Sequence, residues 1–287
     1  MKGQPGPPVR GSRGTTLATW NFGGRGPDLL MLHATGFHGR CYAPVAAELA
    51  RHFHCWALDQ RGHGRSEPAP DGDYDWRYFT ADTLAAIDQL GLDRPFAFGH
   101  SLGGAVALLA EEARPGTFAA FHLFEPIVLT PATARAADRN RLLSNLARRR
   151  RSHFPSRADA LINYASKLPF ARFRADALLA YVDAGLSDTR DGTVELSCAT
   201  EAEARVYEGA LHAGAFGRLT AVAAPVTLAC GQREPDVNLD HLNALADHLE
   251  RATVEEYEGL SHFGPFEDPA RVARGVHAAI GVPARSA

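Results

Sequence analysis

The segment Pro95-Phe96-Ala97-Phe98-Gly99-His100-Ser101-Leu102-Gly103-Gly104 constrains this chain more than any other. Pro95 to Phe98 is apolar and long enough for a buried strand. Leu102 to Arg114 is rich in Ala and Leu and meets no proline until Pro115, so it reads as a helix. Only a tight turn fits between them, and that turn carries the pattern G-x-S-x-G. So sharp a turn forces strained backbone angles on the serine. Positions two residues away on either side must then lack bulky side chains, and Gly99 and Gly103 do. The hydroxyl stands clear of the sheet at a helix N-terminus, where the dipole favours developing negative charge. The segment is a nucleophile elbow, and Ser101 is the candidate nucleophile.

A hydroxyl needs a base, and the base needs an orienting acid. Behind an elbow of this kind the partners follow in the order Ser, acid, His. Near the C-terminus, Thr253 to Tyr257 alternates as a short strand and leads into a Gly/Ser loop holding His262. Asp268-Pro269 then starts a closing helix. Of thirteen histidines, His262 alone has this placement. A third part is an oxyanion hole. Leu29 to Leu32 reads as a buried strand ending in His33-Ala34-Thr35-Gly36-Phe37. Backbone N–H groups of that loop would face a substrate carbonyl opposite the N–H of Leu102. Thr35 is the expected donor, ahead of Phe37. Two such donors would each supply about 3 kcal/mol of transition-state stabilisation.

The loop at 33–37, the run Asp59-Gln60-Arg61-Gly62-His63-Gly64-Arg65-Ser66, the elbow at 99–103 and His262 before Phe263 together resemble an α/β-hydrolase, a serine hydrolase with a helical cap. The likeness extends to esterases, lipases and C–C hydrolases and covers roughly residues 15–130 and 220–285. It implies a mostly parallel twisted sheet covered by helices on both faces, with a helical cap inserted. In the family the Asp59–Ser66 run is a structural turn after a strand. Ala34 stands where the family usually has Gly.

Two acids compete. In most members of the fold the acid follows the next-to-last core strand, here Pro225 to Cys230. The spacing G-x-x-D then selects Glu234 from Gly231-Gln232-Arg233-Glu234-Pro235-Asp236, with Asp236 behind it. Some relatives, certain haloalkane dehalogenases among them, carry a Glu just after the strand that precedes the cap. Glu125, in Phe121-His122-Leu123-Phe124-Glu125-Pro126, holds that place. It lies in an apolar run, and a buried charge needs a partner; an imidazolium would be one. The sequence leaves Glu125 and Glu234 equal.

Strand-like runs near 15–22, 28–33, 53–58, 95–99, 118–124, 225–230 and 252–257 alternate with helix-like runs near 42–51, 78–91, 102–113, 238–250 and 269–280. That alternation means a parallel α/β sheet. The stretch between breaks it, with helices expected over 132–151, 156–166, 173–185 and 200–214 and, between the last two, a turn and a short extended piece over Asp191–Cys198. The expected organisation is a flexible tail over 1–14, a core of 15–130 and 217–287, and an all-helical cap or lid over 131–216. Phe37, His100, Phe154, Tyr164 and Phe263 are the candidate substrate-binding residues, with Phe170, Phe173, Tyr181 and Phe216 as further candidates for the pocket. Arg148 to Arg151 ends the first cap helix, where cations complement the dipole; a docking patch for an anionic substrate is the sharper reading.

At 287 residues, 45% of them hydrophobic, the chain can bury a large core. A net charge of −3 gives no electrostatic case for nucleic acid. No apolar stretch reaches the ~18 residues of a membrane span, and Met1 to Gly14 lacks the apolar region of a signal peptide. Cys41, Cys55, Cys198 and Cys230 have no metal or redox spacing, and Cys55 and Cys230 read as buried thiols. The expectation is a cytoplasmic monomer or homodimer acting on a small molecule without metal or cofactor. The reaction expected is hydrolysis of a carboxylic ester, lactone or thioester with an apolar portion. C–C cleavage beside a ketone, or a low-turnover ligand-binding receptor, are the alternatives.

Overall fold

Leu29-Leu30-Met31-Leu32 shows how the sheet is built. In the computed structural model, which describes residues 3–130, 134–233 and 237–280, this run is part of a strand, Asp28–Leu32. Successive side chains point to opposite faces. Leu30 and Leu32 enter one apolar cluster, and Leu29 and Met31 enter the other. A strand apolar on both sides must be covered on both sides. Helices α1 (Ala43–Leu49) and α9 (Pro269–Ile280) contribute Val45, Leu49, Val272 and Val276 to the cluster with Met31. Helices α2 (Trp76–Leu90), α3 (Leu102–Ala113) and α8 (Leu239–Ala246) contribute Phe79, Val106, Leu109 and Leu242 to the other.

The main sheet has eight strands: β1 (Gln4–Pro5), β2 (Thr19–Gly23), β3 (Asp28–Leu32), β4 (His54–Leu58), β5 (Phe96–His100), β6 (Phe121–Phe124), β7 (Val226–Gly231) and β8 (Ala252–Tyr257). Their spatial order is β1-β2-β4-β3-β5-β6-β7-β8. The pairs β1·β2 and β2·β4 are antiparallel, and every other pair is parallel. The order reverses at β3 and β5, which lie side by side with Leu32 opposite Gly99. A reversal of this kind opens a crevice at the carboxyl edge of a parallel sheet. Next along, His100 pairs with Phe124, and Phe124 with Ala229. The register therefore brings the loops after β3, β5 and β6 together.

Two expectations need correction. The segment 1–14 is not a loose tail over its described part. Gln4–Pro5 adds an edge strand to β2, and Val9–Arg10 pairs with Thr16–Leu17. Ser12 bonds Asp82 through its N–H (2.7 Å) and its hydroxyl (3.0 Å). Gly and Pro suit such short edge pieces as well as they suit disorder. Nor is the stretch between β6 and β7 all helical. It holds α4 (Ala134–Arg148), α5 (Arg157–Ala165), α6 (Ala175–Gly185) and α7 (Thr200–Gly209), but also a small antiparallel sheet. In it Val194–Leu196 pairs with both Leu186–Asp188 and His153–Phe154. Val194–Leu196 falls in the extended piece expected over Asp191–Cys198, whereas the two strands it pairs with, of two and three residues, are too short to show a period of two.

All four cysteines are free and buried. No described helix is long and apolar enough to cross a membrane.

Candidate active site

The elbow has the predicted strain. Ser101 sits at φ 55°, ψ −118° between β5 and α3. The glycines are required by contact, not only by torsion. A Cβ on Gly103 would lie 2.1 Å from the Leu32 carbonyl oxygen, and one on Gly99 would lie 2.6 Å from Gly104 Cα. Helix α3 thus presses directly on β3 and β5. Leu102 is its first residue, so its N–H is one of the helix-end donors without an intrahelical acceptor.

The loop after β3 turns at Ala34-Thr35-Gly36-Phe37. The Phe37 N–H donates to the Ala34 carbonyl (3.1 Å), and Gly36 takes φ 77° at the third position, the pattern of a type II turn. This consumes the Phe37 N–H and leaves Thr35 as the candidate donor of the pair considered. Ala34 fits because its neighbours hold it. Its N–H donates to the Tyr42 hydroxyl (3.2 Å), and its carbonyl accepts from His33 Nδ1 (2.8 Å). His33 Nε2 then accepts the Gln60 N–H (2.8 Å), tying the loop to the Asp59–Ser66 run. That run is structural, as expected. Asp59 Oδ1 accepts from Trp20 Nε1 (3.0 Å) and the Gly39 N–H (2.7 Å), and the buried Arg61 grips Asp82 at 2.7 and 2.8 Å.

Glu125 is fully buried just after β6, at φ 46°. Its N–H donates to the Ala229 carbonyl (2.7 Å) of β7. Its Oε1 accepts the Gly231 N–H (2.8 Å), and its Oε2 accepts from His262 Nδ1 (2.6 Å). Of the sequence candidates for the acid, Glu125 therefore meets His262; Glu234 and Asp236 lie outside the described residues. Gly231 has no room for a side chain, since a Cβ would lie 2.6 Å from the carbonyls of Leu260 and Ser261. The histidine loop thereby packs flat on the end of β7.

His100 does not face substrate. It is fully buried and bonds both sides of the site. A carbonyl can only accept, so His100 Nε2 carries the proton it gives to the His262 carbonyl (2.8 Å). Nδ1 is then the acceptor, and the Tyr42 hydroxyl donates to it (2.7 Å). Ala34 N–H, Tyr42, His100 and the His262 carbonyl form one chain, which links the oxyanion loop to the histidine loop.

Ala34, Thr35, Phe37, Ser101, His262 and Phe263 line one cavity of about 550 Å³. Phe154 and Tyr164 do not. Phe154 is buried against Tyr164 (5.7 Å between centroids), with Arg151 stacked on it (4.6 Å). The Tyr164 hydroxyl touches Arg150 Nη2 (3.4 Å) from behind. Sequence reading found the aromatics but not which face of each helix meets the cavity. Phe170 and Tyr181, also expected at the pocket, do line it, as does Arg150 of the arginine run, but Trp76, Asn140, Glu203 and Tyr207 of the same wall were missed. Only Glu203 carried a visible signal, charge in an otherwise amphipathic run: it is buried and pairs with Arg150, while Arg148 pairs with Glu201 and Glu208. Those pairs commit two cations of the Arg148–Arg151 run to acids of the chain itself.

Four buried histidines surround this apparatus. Burial holds His33 and His100 well below the usual imidazole range, lowers His38, and brings His63 to about 4. The folded state therefore favours the neutral rings. The unfolded chain takes up protons from the ordinary value of 6.5 downward, so stability is full above that pH and is lost below it. For His63 alone the loss by pH 5 is roughly 2 kcal/mol. The urea midpoint is expected to fall clearly between pH 7 and pH 5, with uptake of more than one proton on unfolding. A midpoint flat across that window would contradict buried neutral rings.

Residues 29–275 match the description "Alpha/beta hydrolase family". The chain belongs to that family. Among curated relatives, human monoglyceride lipase is 36% identical over 106 residues, covering 35% of each chain. Pimeloyl-[acyl-carrier protein] methyl ester esterase of Chromobacterium violaceum is 43% identical over 84 residues, covering 29% of this chain and 31% of its own. The alignments span about a third of these relatives. A crystal structure of E-2-(acetamidomethylene)succinate hydrolase superposes with a TM-score of 0.83 at 22% identity, over 97% of this chain and 99% of that one. At that identity the likeness speaks to the fold.

Proposed function

We propose that this alpha/beta hydrolase is a serine hydrolase that cleaves a carboxylic ester, lactone or thioester with an apolar portion. The observation that carries the reading is the 2.6 Å contact of Glu125 Oε2 with His262 Nδ1, at a cavity shared with the strained Ser101. Ser101 Oγ attacks the carbonyl as His262 Nε2 takes its proton. Glu125 keeps the imidazole proton on Nδ1 and stabilises the imidazolium that forms. The N–H groups of Thr35 and Leu102 receive the oxyanion. His262 then protonates the leaving group, and a water activated by the same ring clears the acyl-enzyme. Residues 131–216 act as the cap and residues 15–130 with 217–287 as the core. In support, Leu143, Pro169 and Phe170 of the inserted segment line the same cavity as Ser101. Such a cover excludes water and shapes the pocket.

A fluorophosphonate is expected to label the protein once, on Ser101, and a p-nitrophenyl ester to release its phenol in a burst. Peptide mapping and rapid mixing read the two. Label on another residue would end the serine-hydrolase reading, and binding without release would favour a receptor.

A further inference from the structure

Seven buried side-chain atoms among the described residues have no hydrogen-bond partner: Thr15 Oγ1, His38 Nδ1, Gln60 Oε1, Arg61 Nη1, His63 Nε2, His122 Nδ1 and Asn140 Nδ2. Of the residues that own them, Asn140 alone lines the catalytic cavity. It sits on α4 and is 5% exposed. Leaving a buried amide donor unpaired is unfavourable; Nδ2 itself is closed to water, but the side chain lines the cavity, and a turn about its Cβ–Cγ bond would present the amide to a partner there.

The charges of the same wall are already matched. Arg150 pairs with Glu203 and donates to the Tyr181 hydroxyl (2.6 Å). Arg139 has a partner of its own. Glu203 packs against the oxyanion loop, where a Cβ on Gly36 would lie 2.7 Å from its Oε1. A carboxylate entering here would gain no unpaired cation and would meet the Glu203 charge. A wholly hydrocarbon chain would leave Asn140 unpaired. An amide side chain offers both donors and an acceptor, so its complement is a neutral group with the same two capacities.

Resting on the serine-hydrolase reading above, we propose that the substrate carries, away from the scissile carbonyl, a neutral hydroxyl or amide that hydrogen-bonds Asn140. Asn140 is the residue that sets this preference. The rest of the cavity, with Ile127, Val128, Leu129 and Leu143, takes the apolar part.

The test uses p-nitrophenyl esters of three acids of matched length, ending in methyl, hydroxyl or carboxylate. A parallel set of butyrates varies the alcohol in the same way. On one of the two sets, kcat/KM for the hydroxyl ester is expected to exceed both others by at least about tenfold. In Asn140→Leu, and in Asn140→Ala should the first fail to fold, the hydroxyl-to-methyl ratio is expected to fall towards one. Thermal melting and fluorophosphonate labelling report an intact fold and elbow. A preference for methyl or carboxylate in both sets overturns the proposal, as does a ratio that survives loss of the amide. Either result would leave the serine-hydrolase reading standing, because the methyl ester and the label test that separately. If no ester turns over and no label attaches, both readings fall.

Discussion

Ser101→Ala is expected to lower kcat/KM on a p-nitrophenyl ester by roughly four orders of magnitude or more, with the protein still folded. Alanine keeps the Cβ and the strained backbone at φ 55°, so the packing of Gly103 on the Leu32 carbonyl and of Gly99 on Gly104 is undisturbed. What disappears is the atom that forms the acyl-enzyme. The N–H groups of Thr35 and Leu102, proposed as the oxyanion donors, and the cavity remain, so a residual rate above water is expected to persist. Initial rates over a wide range of enzyme concentration, with thermal melting beside them, check this. Activity within tenfold of the parent would remove Ser101 from the chemistry.

The elbow was legible because a single physical demand fixes residue types at fixed positions: a buried strand, a helix, and between them a turn that no side chain fits at 99 and 103. His262 was legible by its place after the last strand. The acid was not. Glu125 and Glu234 follow neighbouring strands, β6 and β7, and which carboxylate reaches the imidazole depends on register. The pairing of Phe124 with Ala229, and the N–H of Gly231 turned towards Glu125, are three-dimensional facts. The same limit explains Phe154 and Tyr164. Aromatic content was visible in the inserted segment, but His153–Phe154 is held away from the cavity by pairing with Val194 and Glu195, about forty residues further along the chain. Asn140 and Glu203 carried no motif, and the arginine run did not show that Arg150 is committed to Glu203. They acquire meaning only once the walls around them are known. The edge strand at Gln4–Pro5 escaped because composition there suits a tail and an edge strand equally.

Glu125→Gln is expected to cut kcat by three to four orders of magnitude, on the order of ~10⁴ as in the serine-protease template, with KM within a few-fold. The substitution keeps the shape, and the amide oxygen can still accept the Gly231 N–H. The amide nitrogen then faces His262 Nδ1 where Oε2 stood at 2.6 Å. Two donors cannot meet, so the ring proton moves to Nε2, the atom that must accept from Ser101. The base is lost although every side chain stays in place. Glu125→Ala is expected to lose both activity and stability, the latter by about 1–3 kcal/mol, because the buried Gly231 N–H is left without its acceptor. That contrast separates orienting the base from holding the fold. Glu234→Gln and Asp236→Asn serve as the comparison, and both are expected to retain kcat within about fivefold. If Glu125→Gln keeps its kcat while either of those loses it, the acid lies after β7 and the buried carboxylate is a strut between β6 and β7.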